Sequence, residues 1–280
     1  MKIDTLIFSG GSTKGIAFLG SYKYLVENNY INYELTGIKK IICVSASYVF
    51  VLMLVLLNCD YEYMENETLK FNFENFLNIN DISLKNLIDD YGFINYNHNH
   101  VYIKNVLKEI YNVDKMSLLK LYKLTNIHII VKVVNVSKQR IEYMDHINNP
   151  KMNILKLLQM TTAIPILLKP IKYKGDLYLD GGLSGNCPIE INDSDNYLCI
   201  DIKSENKMEI NNVLDYIQCG WKMYSPDILT RQYNKNNIKI DLSGLNISMA
   251  KFNLDIDTKK KILEKGYEDT KNHFSNHQCF

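Results

Sequence analysis

Ile41-Ile42-Cys43-Val44-Ser45-Ala46-Ser47-Tyr48-Val49-Phe50-Val51-Leu52-Met53-Leu54-Val55-Leu56-Leu57 runs for 17 residues without a charge. A run of that length sits at the lower edge of what can cross a bilayer as a helix. Its interior argues for something else. A Ser-Ala-Ser step interrupts the apolar residues, and Lys39-Lys40 precede them. The β-branched residues of 38–44 read as a buried strand, and 46–58 read as a helix apolar on all sides. A tight turn at Ser45 joins the two. A buried strand running straight into a buried helix belongs inside a parallel sheet covered by helices.

The N-terminus repeats the unit. Residues 5–9 form an apolar strand, Gly10-Gly11-Ser12-Thr13-Lys14-Gly15 follows, and 16–27 carries apolar residues at helical spacing (Ile16, Leu19, Tyr22, Leu25, Val26). Residues 60–125 read as helical (67–77, 83–90, 101–111, 116–122) and aromatic-rich, with no strong strand signal, as a cap on the sheet would be. Strands are expected again at 127–136, 141–145, 167–173, 177–179 and 197–202. Helices are expected at 152–160, 213–223 and 259–274. With no repeat, low-complexity linker or proline-rich hinge, the economical organisation is a single domain over 1–280. Its core would span about 5–205, the cap-like insertion about 60–125, and the C-terminal helices about 207–276.

Composition narrows the function classes. Of 280 residues, 46% are hydrophobic and 22% charged, an ordinary globular balance. Lys and Arg number 32 against 31 Asp and Glu, so the net charge is +1 and no bulk positive field exists to hold a nucleic acid. Arg140 and Arg231 are the only arginines, while Asn, Ile, Lys and Tyr abound, a pattern we read as A/T-rich coding. That bias removes weight from Asn95-Tyr96-Asn97-His98-Asn99-His100. The six cysteines (Cys43, Cys59, Cys187, Cys199, Cys219, Cys279) contain no C-x-x-C pair. A structural zinc site is therefore not expected, and buried free thiols in a reducing compartment are. Met1-Lys2-Ile3-Asp4 leads directly into a strand with no signal-peptide pattern. An intracellular protein is expected, peripheral at membranes if it meets them.

Three segments could carry chemistry. The glycine loop between strand and helix can turn its N–H groups toward an anion at a helix N-terminus. A Walker loop needs Lys-Ser/Thr after the second glycine, and here Ile16 follows Gly15. A dinucleotide fingerprint needs a third-position glycine, and position 12 is Ser. An oxyanion hole needs a nucleophile nearby; a plain strand–helix turn needs nothing. Cys43-Val44-Ser45-Ala46-Ser47 sits where a nucleophile elbow would, with Cys43 and Ser47 in place of the two glycines. Leu179-Asp180-Gly181-Gly182 ends a short strand, where Asp180 serves either a turn or as a base for Ser45.

The order of these parts is more specific than any of them. A glycine loop, a Val-Ser-Ala elbow, Thr161-Thr162-Ala163-Ile164-Pro165, then Tyr178-Leu179-Asp180-Gly181-Gly182 with Asn186 and Pro188 resembles the patatin-like phospholipase family. Tyr91-Gly92-Phe93 and, more loosely, Glu264-Lys265-Gly266-Tyr267 add to the resemblance. It implies an α/β fold, a three-layer α/β/α sandwich on a mostly parallel sheet. It implies hydrolysis of a phospholipid or another acyl lipid in lipid catabolism, of phospholipase A or esterase type. Ser45 matches the family nucleophile and Asp180 its proton acceptor. Gly10, Gly11, Ser12, Lys14 and Gly15 match the oxyanion loop, Cys43 and Ser47 flank the elbow, and Gly181 and Gly182 complete the Asp-Gly-Gly motif. Neither a metal nor an organic cofactor is implied.

A dyad needs no histidine, and none of His98, His100, His128, His146, His273 and His277 lies in a motif-like setting. The departures from the family pattern are Cys43, Ser47 and Ser12, all small residues. Two alternatives remain beside the hydrolase: a lipid-binding protein with an inactive elbow, and a nucleotide-dependent enzyme built on the glycine loop.

Overall fold

In the computed structural model, β1 (Thr5–Phe8) leads through a 3-10 turn (Ser12–Gly15) into α1 (Ile16–Glu27), and β2 (Lys40–Val44) leads through Ser45 into α2 (Ala46–Leu56). The structure describes residues 2–58, 60–76, 82–94, 100–203, 216, 235–245, 247 and 252–276. The long apolar run is thus broken at Ser45 into a strand and a helix. Among the described residues, no helix is long and apolar enough to cross a membrane.

The elements that follow are α3 (Tyr61–Lys70), α4 (Leu84–Asp90), β3 (Gly92–Ile94), α5 (His100–Tyr111), α6 (Leu118–Thr125), β4 (His128–Asn135) and β5 (Arg140–Met144). Then come α7 (Ile154–Thr161), β6 (Ile166–Leu168), β7 (Ile171–Tyr173), β8 (Asp176–Asp180), β9 (Tyr197–Lys203), β10 (Asn237–Asp241) and α8 (Ile256–Asn276). Eight strands form one sheet in the order β10-β9-β1-β2-β4-β8-β7, with β5 also paired to β4. The first five are parallel to one another, while β5 and β8 run antiparallel to β4. The fold is the expected α/β class on a mostly parallel sheet.

Alternation along each strand divides the side chains between two faces. Leu6, Phe8, Ile41, Cys43, Ile129, Val131, Leu198 and Ile200 face the helices and join one large core cluster. Ile7, Ile42, Ile130 and Cys199 face the other way and pack on Cys187, Ile189 and Ile191. Phe8, Phe18 and Phe50 meet at centroid distances of 5.3–5.7 Å and tie β1, α1 and α2 together. Each such pair contributes about 0.5–1.5 kcal/mol beyond its buried area. Cys43, Cys187 and Cys199 are buried and outside any disulfide, with the Cys187 and Cys199 sulfurs 3.3 Å apart; Cys59, Cys219 and Cys279 lie outside the described residues.

The final helix docks on the first with almost no separation. A Cβ on Gly20 of α1 would meet the Leu263 carbonyl oxygen at 1.9 Å, and one on Gly266 of α8 would meet that of Ala17 at 2.1 Å. The two bare positions let the backbones touch, and Ser21 Oγ donates to the Gly266 carbonyl there.

Several sequence expectations shift. The helices of residues 60–125, expected as a cap-like insertion, share one core with the sheet. Met64, Ile103, Val106, Leu107, Leu118 and Leu121 from α3, α5 and α6 belong to the main core cluster, so these helices are part of the helical layer. α4 buries no residue. The helix expected at 67–77 is α3, which starts earlier because Asp60 caps it by accepting from the Tyr63 N–H. The single strand expected at 167–173 is two, β6 and β7, separated at Lys169-Pro170, and they belong to different sheets. Proline has no N–H to give a ladder and breaks the run. The helix expected at 213–223 lies outside the described residues, apart from Tyr216.

Candidate active site

The end of β2 positions Ser45. It holds φ 59° and ψ −133°, a left-handed φ that a non-glycine residue adopts only where its surroundings enforce it. Its backbone N–H donates to Thr161 Oγ1 at 2.8 Å, and Thr161 Oγ1 donates to the Lys132 carbonyl at 2.8 Å. Ser47 closes the turn from the other side. Its buried hydroxyl accepts from the Val44 N–H at 3.0 Å and donates to the Val44 carbonyl at 2.7 Å. Ser47 is therefore more than a small residue standing where glycine is usual. Cys43 lies fully buried among core side chains, and burial pushes its thiol well up, so it is an inert space-filler.

The end of β8 positions Asp180. β2 and β8 both pair with β4 on the side away from β5. Val44 stands opposite Lys132, and Asp180 stands opposite the next residue, Val133. Running in opposite directions along one partner, the two strands meet head to head. The Asp180 N–H donates to the Ala163 carbonyl at 2.9 Å. The segment at 161–165 thus braces both ends. As a result Ser45 Oγ donates to Asp180 Oδ2 at 2.6 Å across 135 residues of sequence. Gly182 N–H donates to Asp180 Oδ1 at 2.8 Å. Gly181 packs on the Lys132 carbonyl.

Burial governs the electrostatics. It raises the Asp180 carboxyl from 3.8 to about 6, although the Ser45 hydroxyl, the Gly182 N–H and the Lys132 charge all pull it down. A carboxylate held near pH 6 is a better proton acceptor than an exposed one.

The glycine loop lies alongside. Gly10 is held from both directions: its N–H donates to the Asn186 carbonyl and its carbonyl accepts from Asn186 Nδ2, each at 2.8 Å. A Cβ on Gly10 would fall 2.3 Å from Asn186 Oδ1 and 3.4 Å from Ser45 Cβ, so a side chain there would touch the serine and force Asn186 out of its place. Gly11 is extended, and the left-handed residue of the loop is Ser12, at φ 50°. Lys14 is buried, and its N–H closes the turn onto the Gly11 carbonyl at 3.0 Å. Gly15 stands at the N-cap of α1.

Ser45 opens into a mostly apolar cleft of about 910 Å³, its open mouth included. Ser12, Thr13 and Ile16 line it from the loop and α1, Val49, Phe50 and Met53 from α2, and Met64, Ile164 and Leu168 from beyond. Among the described residues no histidine lines it. His128 starts β4 opposite Lys40, at the far end of β2 from Ser45, and pairs there with Asp145 at 3.0 Å. His100 contacts Gln159, His146 stacks on Tyr122, and His273 contacts the Lys235 carbonyl. His98 and His277 lie outside the described residues. Among the described residues no cluster could hold a metal ion.

The glycine loop, Ser45, the 161–165 segment and Asp180-Gly181-Gly182 with Asn186 therefore converge on one place, whereas Gly92 packs against β6 and Gly266 against α1. Sequence reasoning missed the parts played by Thr161 and Lys132. The Thr-Thr-Ala-x-Pro segment carried the signal for the first; nothing in the sequence marked the second.

A strained serine between a parallel strand and a buried helix, bonded to a buried aspartate beside an apolar cleft, is an arrangement chemically suited to nucleophilic acyl transfer. The family model of the patatin-like phospholipases matches residues 6–193, and the chain belongs to that family. An uncharacterized protein of Acanthamoeba polyphaga mimivirus is 27% identical over 96% of this chain and 93% of its own length. A probable lipid hydrolase of Invertebrate iridescent virus 6 is 26% identical over 67% of this chain and 62% of its own. Among solved structures, the type III effector ExoU is similar at TM-score 0.58 and 12% identity, over 100% of this chain and 54% of that one. VipD from Legionella pneumophila is similar at TM-score 0.54 and 17% identity, over 99% and 67%. Likeness at such identities speaks for the fold.

Proposed function

We propose that the protein hydrolyses acyl esters of phospholipids or related lipids, with Ser45 as nucleophile and Asp180 as proton acceptor. Membership of the family and the relative described as a lipid hydrolase support a lipid hydrolase. The observation that carries the finer reading is the 2.6 Å bond from Ser45 Oγ to Asp180 Oδ2 at the mouth of the apolar cleft. Ser45 Oγ attacks the ester carbonyl carbon, and its proton passes to Asp180. The carbonyl oxygen takes the negative charge, facing the Gly11-Ser12 turn of the glycine loop and the N-terminus of α2, while the Gly10 N–H stays committed to the Asn186 carbonyl. Collapse breaks the acyl–oxygen bond, and the departing alcohol leaves with the proton. Water then adds to the acyl-serine, giving its proton to Asp180, and the fatty acid departs with Ser45 restored. The cleft along α2 takes the acyl chain.

The substrate is met at a lipid surface. Ile82, Leu84, Ile88 and Tyr91 are exposed on and beside α4, with Leu84 at 70% and Ile88 at 76%. α4 leads into β3, which pairs with β6, and Leu168 of β6 lines the cleft. An exposed apolar patch connected to the acyl cleft through β3 and β6 suits an interface.

The test is labelling with a fluorophosphonate probe together with release of fatty acid from phospholipid vesicles. Wild type is expected to label and to hydrolyse. Ser45→Ala and Asp180→Asn are expected to lose both by at least about 10²-fold while staying folded. Hydrolysis retained in Ser45→Ala overturns the reading.

A further inference from the structure

Lys132 lies in the middle of β4. Its neighbours Val131 and Val133 face the helical core, so its own side chain faces the other side of the sheet, where it is 1% exposed. An ammonium so buried must have its three N–H groups taken up. They are: Nζ donates to the Ser184 carbonyl at 3.2 Å, the Gly185 carbonyl at 2.9 Å and Glu190 Oε1 at 2.8 Å. All three acceptors belong to the segment leaving Asp180. Ser184 and Gly185 end the 3-10 turn whose N-cap is Asp180, and Asn186 grips Gly10. The backbone of Lys132 is committed to the same site, its carbonyl accepting from the Thr161 hydroxyl that holds the Ser45 N–H.

The charges are arranged unevenly. Glu190 is 44% exposed at its side chain and shared with the Tyr143 hydroxyl at 2.5 Å, so water and a second donor damp its charge. The lysine has no such screening. Around Asp180, Ser45 donates from the β2–α2 turn, the Gly182 N–H donates from the following turn and the Ala163 carbonyl accepts from the Asp180 N–H; β4 supplies Lys132, whose charge favours the ionised carboxylate.

We infer that Lys132 and Glu190 form a positioning pair for Asp180: the buried cation holds the turn behind the carboxylate and, trimmed by Glu190, sets the pH below which Asp180 can no longer take the Ser45 proton. This rests on Asp180 being the proton acceptor. The two charges then act in opposite directions. Losing the cation makes Asp180 harder to ionise, and losing the Glu190 charge makes it easier.

The experiment is the pH profile of kcat/KM on a soluble p-nitrophenyl ester for wild type, Lys132→Met, Lys132→Arg, Glu190→Gln and Asp180→Asn. In Lys132→Met the acid limb is expected to move up by about one unit, an approximately tenfold loss at any pH below both limbs. In Glu190→Gln it moves down by a smaller amount, and in Lys132→Arg it stays near wild type. A merely structural role would lower the rate by one factor at every pH and leave the limb in place. Unmoved limbs, or limbs moving the same way, overturn the inference. If Lys132→Met fails to fold, Glu190→Gln decides alone: a downward shift supports the pair, and no shift or an upward one overturns it. Asp180→Asn separates the two failures. If it is inactive while the other limbs stay put, only the positioning pair is wrong; if it keeps the activity and the limb, the proton acceptor is wrong as well.

Discussion

Replacing Asp180 with Asn should make the protein more stable while making it inactive, and it should do so only toward neutral pH. The carboxyl is 7% exposed, and burial lifts it from 3.8 to about 6. The folded chain therefore holds this proton more tightly than the unfolded chain does. Below about pH 3.8 both states are protonated and the group adds nothing to the pH dependence. Between 3.8 and 6 the folded state binds more protons, so stability falls as pH rises. Above 6 the full cost of a buried anion is present. A gap of about two units corresponds to roughly 3 kcal/mol. Asn carries no charge and escapes that cost. It gives some back, because its amide must donate where the carboxylate accepted from Ser45. A net gain of about 1–2 kcal/mol at pH 8 remains, or roughly 2–8 °C in Tm for a domain of this size. Thermal unfolding of both proteins followed by circular dichroism at pH 5, 6, 7 and 8 measures it. Equal Tm values at pH 8, or a gain that does not shrink toward pH 5, would refute the reasoning.

Ser47→Ala should cost about 1–3 kcal/mol by denaturant unfolding, because it strands the buried Val44 N–H that Ser47 Oγ now receives; Ser47→Gly should not rescue it, although glycine is usual there. Gly266→Ala should lower Tm by several degrees, since its Cβ would press to 2.1 Å on the Ala17 carbonyl and the helix must move away; an unchanged Tm would show that α8 docks more loosely than described. Leu84→Ser with Ile88→Ser should cut hydrolysis of vesicle phospholipid severalfold and leave a soluble ester unaffected, both side chains being exposed away from the cleft; equal loss on both substrates would remove α4 from the lipid interface.

The parts of the fold that were legible in the sequence are those whose burial is two-sided. β1, β2, β4 and β9 read as strands because each is a predominantly apolar run buried on both faces. α2 read as a buried helix for the same reason. β10 went unseen: Asn237-Ile238-Lys239-Ile240-Asp241 is short and half polar, and it is a strand because β9 offers it an edge. β3 is three residues long and exists through its pairing with β6. The elbow and the Asp-Gly-Gly turn were legible because a strained turn and a capped turn restrict residue type locally. Lys132 was not. One lysine among many carries no mark of burial, and its partners at Ser184, Gly185 and Glu190 are more than 50 residues away.

The meeting of β2 and β8 along one side of β4 has a consequence for how this site tolerates change. The length of chain between Ser45 and Asp180 has no bearing on their distance, which is set by two adjacent rungs on β4. Loops between residues 60 and 125 can therefore change length without altering that register. What cannot vary is the count along β4. A slip of β8 by a single residue would turn the Asp180 side chain to the opposite face of the sheet, and no rearrangement of the helical layer could bring it back to the serine.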